Sequence, residues 1–130
     1  MICPVCKEDM LILEYAQTEL DYCPSCQGTW MDSGELEVLM ESSKKILDLS
    51  AVEHSLKSRR RCPRCRKKMW IAKFPGSNVD VDICSRDGGI WLDKGELLEI
   101  AQSQTSDDNL KKINKFLGDL FKEKTDQKEN

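Results

Sequence analysis

Apolar positions along the chain alternate over short runs and then recur at helical spacing, and this succession is written twice. Met10-Leu11-Ile12-Leu13-Glu14-Tyr15 and Glu19-Leu20-Asp21-Tyr22 flank Ala16-Gln17-Thr18, which reads as strand, turn, strand. Further on, Met69-Trp70-Ile71-Ala72-Lys73-Phe74 leads into the turn signal Pro75-Gly76-Ser77-Asn78. Val79, Val81 and Ile83 then alternate with Asp80 and Asp82 at strand period. Each hairpin is followed by a tryptophan (Trp30 or Trp91), a short hydrophobic step and the run Asp-x-Gly-Glu. Asp32 and Asp93 are placed to cap helices, with Glu35 and Glu96 three residues on as reciprocal capping partners.

The helical stretches follow from the same pattern. Leu36, Leu39, Met40, Ile46 and Leu47 lie at helical spacing, and no Gly or Pro interrupts residues 35–62, so a helix is predicted to run to about Leu56. That makes residues 42–60 a helical connector. A second, shorter helix is predicted from Gly95 to about Gln102. A third covers residues 106–124, with Leu110, Ile113, Phe116, Leu117, Leu120 and Phe121 as an apolar stripe that Gly118 weakens. Residues 125–130 read as a disordered tail.

Cysteine placement turns the repeat into chemistry. Cys3-Pro4-Val5-Cys6 and Cys23-Pro24-Ser25-Cys26 bracket the first hairpin with 16 residues between the pairs, and Cys62-Pro63-Arg64-Cys65 opens the second copy. All seven cysteines fall at repeat positions. Two CxxC steps supply the four thiolates of a tetrahedral zinc, which assigns Cys3, Cys6, Cys23 and Cys26 to one site. In the second site Cys62, Cys65 and Cys84 are joined by Asp87 where a fourth cysteine is expected. A carboxylate is an acceptable but harder zinc ligand, and His54, the single histidine, or a water is the competing donor. Iron in a rubredoxin-like electron-transfer site uses the same knuckles and is the rival reading. The repeat divides the chain into units 1–41 and 61–103, each of roughly 40 residues, a size that rarely folds without a metal or disulfide.

Net charge is only −3, but its distribution is uneven. Residues 1–41 carry Lys7 against nine acidic side chains, whereas Lys57 to Lys73 hold nine basic residues and no acid. Arg59, Arg60, Arg61, Arg64, Arg66, Lys67 and Lys68, with Trp70 beside them, form a candidate surface for nucleic acid or a protein partner. The bland alternatives are a solvated face or pairing with the acidic first repeat, within or between chains. Trp30 and Trp91 read as core plugs that pack each hairpin against its capped helix. No apolar run reaches a membrane span, and the first cysteine stands too early to leave room for a signal segment. The expected home is a reducing cytoplasm.

The phrase CPxC…CPxC-x-G-x-W-x-D-x-G-E-L resembles the TFIIB-type (transcription factor) zinc-ribbon family. The resemblance spans residues 3–41 and, with Asp87 as its one departure, residues 62–98. It implies zinc at both cysteine sets and says little about activity. Taken together, the chain reads as a small metal-stabilised α+β protein of two zinc-ribbon or treble-clef-like units, each knuckle, β-hairpin, knuckle, helix. A helical connector joins them, and the C-terminal amphipathic helix serves as a docking or dimerisation element. The expected role is a non-enzymatic binding or regulatory module with two zinc ions. It would act through a protein partner, self-association or nucleic acid, with no membrane and no small-molecule substrate.

Overall fold

In the computed structural model the described residues are 1–46, 56–74 and 77–129, with side chains as far as Leu120. Among the described residues there are seven strands: β1 (Leu11–Tyr15), β2 (Thr18–Tyr22), β3 (Thr29–Met31), β4 (Lys57–Arg61), β5 (Lys68–Lys73), β6 (Asp80–Ile83) and β7 (Ile90–Leu92). Three helices follow the repeats: α1 (Glu35–Leu39), α2 (Glu96–Gln104) and α3 (Asp107–Glu129). Both hairpins form where the alternation places them. The two copies do not stand apart, however. All seven strands belong to one antiparallel sheet in the order β1-β2-β3-β7-β6-β5-β4, joined at its middle by β3 and β7.

Because side chains alternate across a sheet, the central ladder sorts residues onto two faces. Trp30 pairs with Trp91 on one face, flanked by Thr29 opposite Leu92 and Met31 opposite Ile90 on the other. The tryptophan face carries Cys3, Cys23, Cys62, Cys84, Met10 and Met69, so both sets of metal-binding turns share one buried layer. Met31, Leu92, Ile90, Leu20 and Ile83 face the helices, where Leu36, Leu39, Leu97, Ile100 and Ile113 complete the main core. Trp30 and Trp91 are both fully buried. As plugs they reach across the repeats: a Cβ on Gly28 would overlap the six-membered ring of Trp91, and one on Gly89 would overlap that of Trp30. Reciprocal contacts of this kind leave the two halves related by an approximate twofold.

Three expectations about the helices are corrected. Helix α1 ends at Leu39 and does not continue through a connector. Glu41 adopts the left-handed conformation (φ 55°). Its N–H donates to Val38 O (3.1 Å) and the Ser42 N–H to Glu37 O (2.9 Å), a Schellman closure made without glycine. The C-terminal carbonyls are then satisfied from far along the chain: Asn109 Nδ2 donates to Leu39 O and Thr105 Oγ1 to Met40 O. Residues 42–46 are non-helical, residues 57–60 lie in strand β4, and 47–55, His54 included, fall outside the described residues. Second, α3 runs to Glu129, so residues 125–129 are helical where a disordered tail is expected. Third, much of the α3 stripe packs within the molecule among the described residues. Ile113 is buried, Leu117 nearly so, and Phe116 stacks on Tyr15 with ring centroids 4.4 Å apart.

Three glycines give two opposite predictions. Gly28→Ala or Gly89→Ala overpacks the tryptophan layer and should cost about 1–3 kcal/mol or more of unfolding free energy. Gly118→Ala, whose Cβ meets nothing within 4 Å, should stabilise α3. The gain is about 1 kcal/mol from helix propensity. Urea denaturation of the three variants checks this; equal midpoints for Gly28→Ala and the natural chain would contradict the packing.

Candidate metal centre

Four tight turns of one geometry hold the candidate ligands. In each, the amide of the first donor residue donates to a carbonyl five residues on: Cys3 to Glu8, Cys23 to Gly28, Cys62 to Lys67 and Cys84 to Gly89, at 2.8–3.0 Å. The residue after the second donor closes the turn in a left-handed conformation: Lys7 (φ 65°), Gln27 (63°), Arg66 (67°) and Gly88 (80°). This tightness directs amides at sulfur. Val5 and Cys6 N–H donate to Cys3 Sγ at 3.3 Å, and Arg64 and Cys65 N–H to Cys62 Sγ at 3.4 and 3.5 Å. Such donors stabilise a thiolate over a thiol.

The turns converge in two groups. Cys3, Cys6, Cys23 and Cys26 bring their sulfurs within 4.8 Å of one another, and Cys62, Cys65, Cys84 and Asp87 do the same with three sulfurs and a carboxylate oxygen. Each group can hold one zinc ion. Donor chemistry fits in both cases, as S4 and as S3O. Asp87 is built into its turn: Oδ1 accepts from the Gly89 N–H at 3.0 Å, while Oδ2 lies 3.3 Å from Cys62 Sγ among the donors. The matching Gly28 amide in the first copy points at the Cys26 sulfur. A carboxylate thus uses one oxygen to satisfy the amide a thiolate would take, and offers the other inward. Burial pushes the Cys3 thiol up to about 11 and raises that of Cys62 as well. Metal binding must therefore displace protons, and affinity falls in acid.

Around each tryptophan the two copies place matching aspartates. Asp32 Oδ1 accepts from Trp30 Nε1 at 3.0 Å, and Asp93 Oδ1 from Trp91 Nε1 at 3.2 Å. These carboxylates are therefore not the helix caps the spacing suggests; Gly34 and Gly95 occupy the cap positions, both left-handed. The reciprocal half of the expected box does form, with Glu35 and Glu96 accepting from the Asp32 and Asp93 N–H at 2.7 Å. Asp21 and Asp82 are buried beside them. Burial, and the charge of Asp32, push the Asp21 carboxyl above its usual range.

One arginine serves each aspartate pair, and both come from the basic run. Arg60 bridges Asp82 (3.0 Å) and Asp93 (2.7 Å). Arg64 forms a two-pronged bond to Asp32 of the first copy, holding that carboxyl below its usual range. Two of the proposed partner-binding cations are thus engaged inside the molecule: Arg64 with the acidic first repeat, as the pairing alternative anticipates, and Arg60 within its own repeat. Arg59, Arg61, Arg66, Lys67 and Lys68 are exposed on the second ribbon, while Trp70 is half-buried with Lys57 Nζ 5.4 Å from its ring. Sequence reasoning missed the Arg60 and Arg64 assignments. For Arg64 the sequence signal is the acidic character of the first copy opposite a basic second one; Arg60, paired within its own copy, has none of this kind.

The transcription factor zinc-finger family, a TFIIB-type zinc ribbon, matches the chain over residues 2–42 and 61–103, and the chain belongs to it. No curated protein and no solved structure matches the chain.

Two predictions follow from this geometry. Asp87→Cys should make the second centre as resistant to chelator as the first, while Asp87→Ala should release its metal first in a competition titration. Equal retention in all three proteins would contradict the role of the carboxylate. Burial pushes the Glu96 carboxyl up to about 7 from its ordinary 4.5. A raised folded-state value contributes stability below pH 4.5 that is lost as pH rises through 7. Relative to Glu96→Gln, the natural chain should therefore lose melting temperature between pH 5 and 8; a constant difference would contradict it.

Proposed function

We propose that the chain is a non-catalytic module in which two zinc ions hold a fused double ribbon rigid, so that its surface can bind a macromolecular partner, protein foremost. One observation carries this reading: each of two four-donor groups is assembled wholly from the chain's own side chains on turns packed against the buried tryptophan layer. Four protein donors complete a tetrahedron, the arrangement of a structural zinc, whereas catalytic zinc keeps a position for water or substrate. Cys3, Cys6, Cys23 and Cys26 are the ligands of one ion, and Cys62, Cys65, Cys84 and Asp87 those of the other. Free thiols at every position suit a reducing compartment, and among the described residues no helix is long and apolar enough to cross a membrane.

A second reading, nucleic-acid binding in a transcription-related role, is favoured by one specific feature. Arg59, Arg61, Arg66, Lys67 and Lys68 are exposed on the rigid mount of the Cys62–Cys65 turn. Phosphate contacts of this kind weaken steeply with salt.

The test is metal content with binding. Protein purified without added metal should carry two zinc ions per chain and lose its near-ultraviolet tryptophan signal when a chelator removes them. Iron and visible colour would establish the electron-transfer alternative instead. If nucleic acid is the partner, Arg59→Ala with Arg61→Ala should weaken binding to DNA or RNA at low salt without changing zinc content; flat isotherms with both would exclude that reading.

A further inference from the structure

The approximate twofold makes the two ends of the sheet comparable, and they differ in one respect. Strand β5 is covered on both sides, by β6 and by β4. Its counterpart β1 is covered only by β2 among the described residues. The slot begins to fill in the same way in both copies: the Ile2–Asp9 bridge is the counterpart of the Arg61–Lys68 pair. Beyond it, β4 continues along β5, whereas the matching edge of β1 has no strand beside it among the described residues. Leu11 and Ile12 are accordingly 49% and 66% exposed, while their counterparts Trp70 and Ile71 are half-buried. A bare apolar edge of this kind is a template for strand addition.

Charge identifies what the edge accepts. Glu14 stands directly opposite Glu19, both exposed, at the turn end of the β1–β2 hairpin. The corresponding pair in the second copy is Lys73 opposite Asp80. Like charges facing across a ladder are destabilising, and a cationic strand alongside β1 relieves them. The chain has such a strand at its other end. β4 reads Lys57-Ser58-Arg59-Arg60-Arg61, pairs antiparallel with β5 along its inner edge, and ends the sheet with its outer edge open among the described residues. Its exposed cations discourage pairing with a second β4, just as the acidic pair discourages a second β1.

We infer that β1 of one molecule pairs with β4 of another, so that copies of this chain associate head to tail through the two open edges of the sheet. This deepens the binding role proposed above by naming a partner and a surface, and it rests on that reading. Contacts of this kind are heterologous, so growth continues beyond a dimer unless a ring closes.

The experiment is molecular mass by sedimentation on the full chain at low salt, with zinc content measured on the same samples. Mass should rise with concentration past twice the monomer value and fall back when salt is added. Ile12→Lys on β1 and the pair Arg59→Glu with Arg61→Glu on β4 should each remain monomeric with two zincs. Mixed one to one, they should form a species of twice the monomer mass and no larger, since each variant keeps one good edge. A natural chain that stays monomeric at every concentration overturns the inference. So does association that Ile12→Lys abolishes and the β4 variant leaves intact, which would mean β1–β1 pairing. Zinc below two per chain in protein that still grows in mass would overturn the metal-module reading and leave edge pairing standing.

Discussion

The structure depends on the reciprocal packing of two indole rings over two glycines. Trp30 lies where a side chain on Gly89 would be, and Trp91 where one on Gly28 would be. A single ribbon of about 40 residues exposes too much of its surface to build an interior from apolar burial alone. Crossing the tryptophans gives each ribbon the core of its neighbour, and aromatic side chains of this size bury some 150–250 Å² each. The β3–β7 ladder follows from that contact, because Trp30 and Trp91 can meet only if their strands lie side by side. Metal turns on one face and helices on the other are then supported by a common sheet.

Within this frame the copies have diverged by substitution at matched positions. Both place an aspartate pair beside the tryptophan, but the neutralising arginine is drawn differently. Arg60 stays within its own ribbon, whereas Arg64 reaches from the second ribbon to the first and so adds an ionic tie across the junction. In the metal turns Asp87 replaces a sulfur and retains the local hydrogen bond through its second oxygen. At the hairpin ends, Glu14 opposite Glu19 in one copy answers to Lys73 opposite Asp80 in the other. An approximately symmetric scaffold thus presents an acidic edge strand at one end of the sheet and a basic one at the other.

The parts legible in the sequence are those governed by local chemistry. Paired cysteines at fixed spacing name the turns and the metal, strand alternation names both hairpins, and Asp-x-Gly-Glu names both helix starts. What was hidden is tertiary. Nothing local says that Trp30 packs on Gly89, so one sheet reads as two units. The end of α1 was obscured because Glu41 takes a conformation for which one looks for glycine, and because Thr105 and Asn109 supply the closing hydrogen bonds from over 60 residues away. The basic run offered partner binding, solvation or internal pairing as a whole, yet the fold fixes partners for two of its arginines in particular. Position in a run does not reveal which cation is paired with a carboxylate.

The central claim is that the two ribbons form one cooperative body. Native-state hydrogen exchange of the zinc-loaded chain tests it most directly, by comparing amides in β3 and β2 of the first ribbon with those in β7 and β6 of the second. One body predicts that the best-protected amides of both ribbons exchange with the same opening free energy and respond identically to added denaturant. Two sets with separate free energies, the first ribbon opening while the second stays closed, would contradict it.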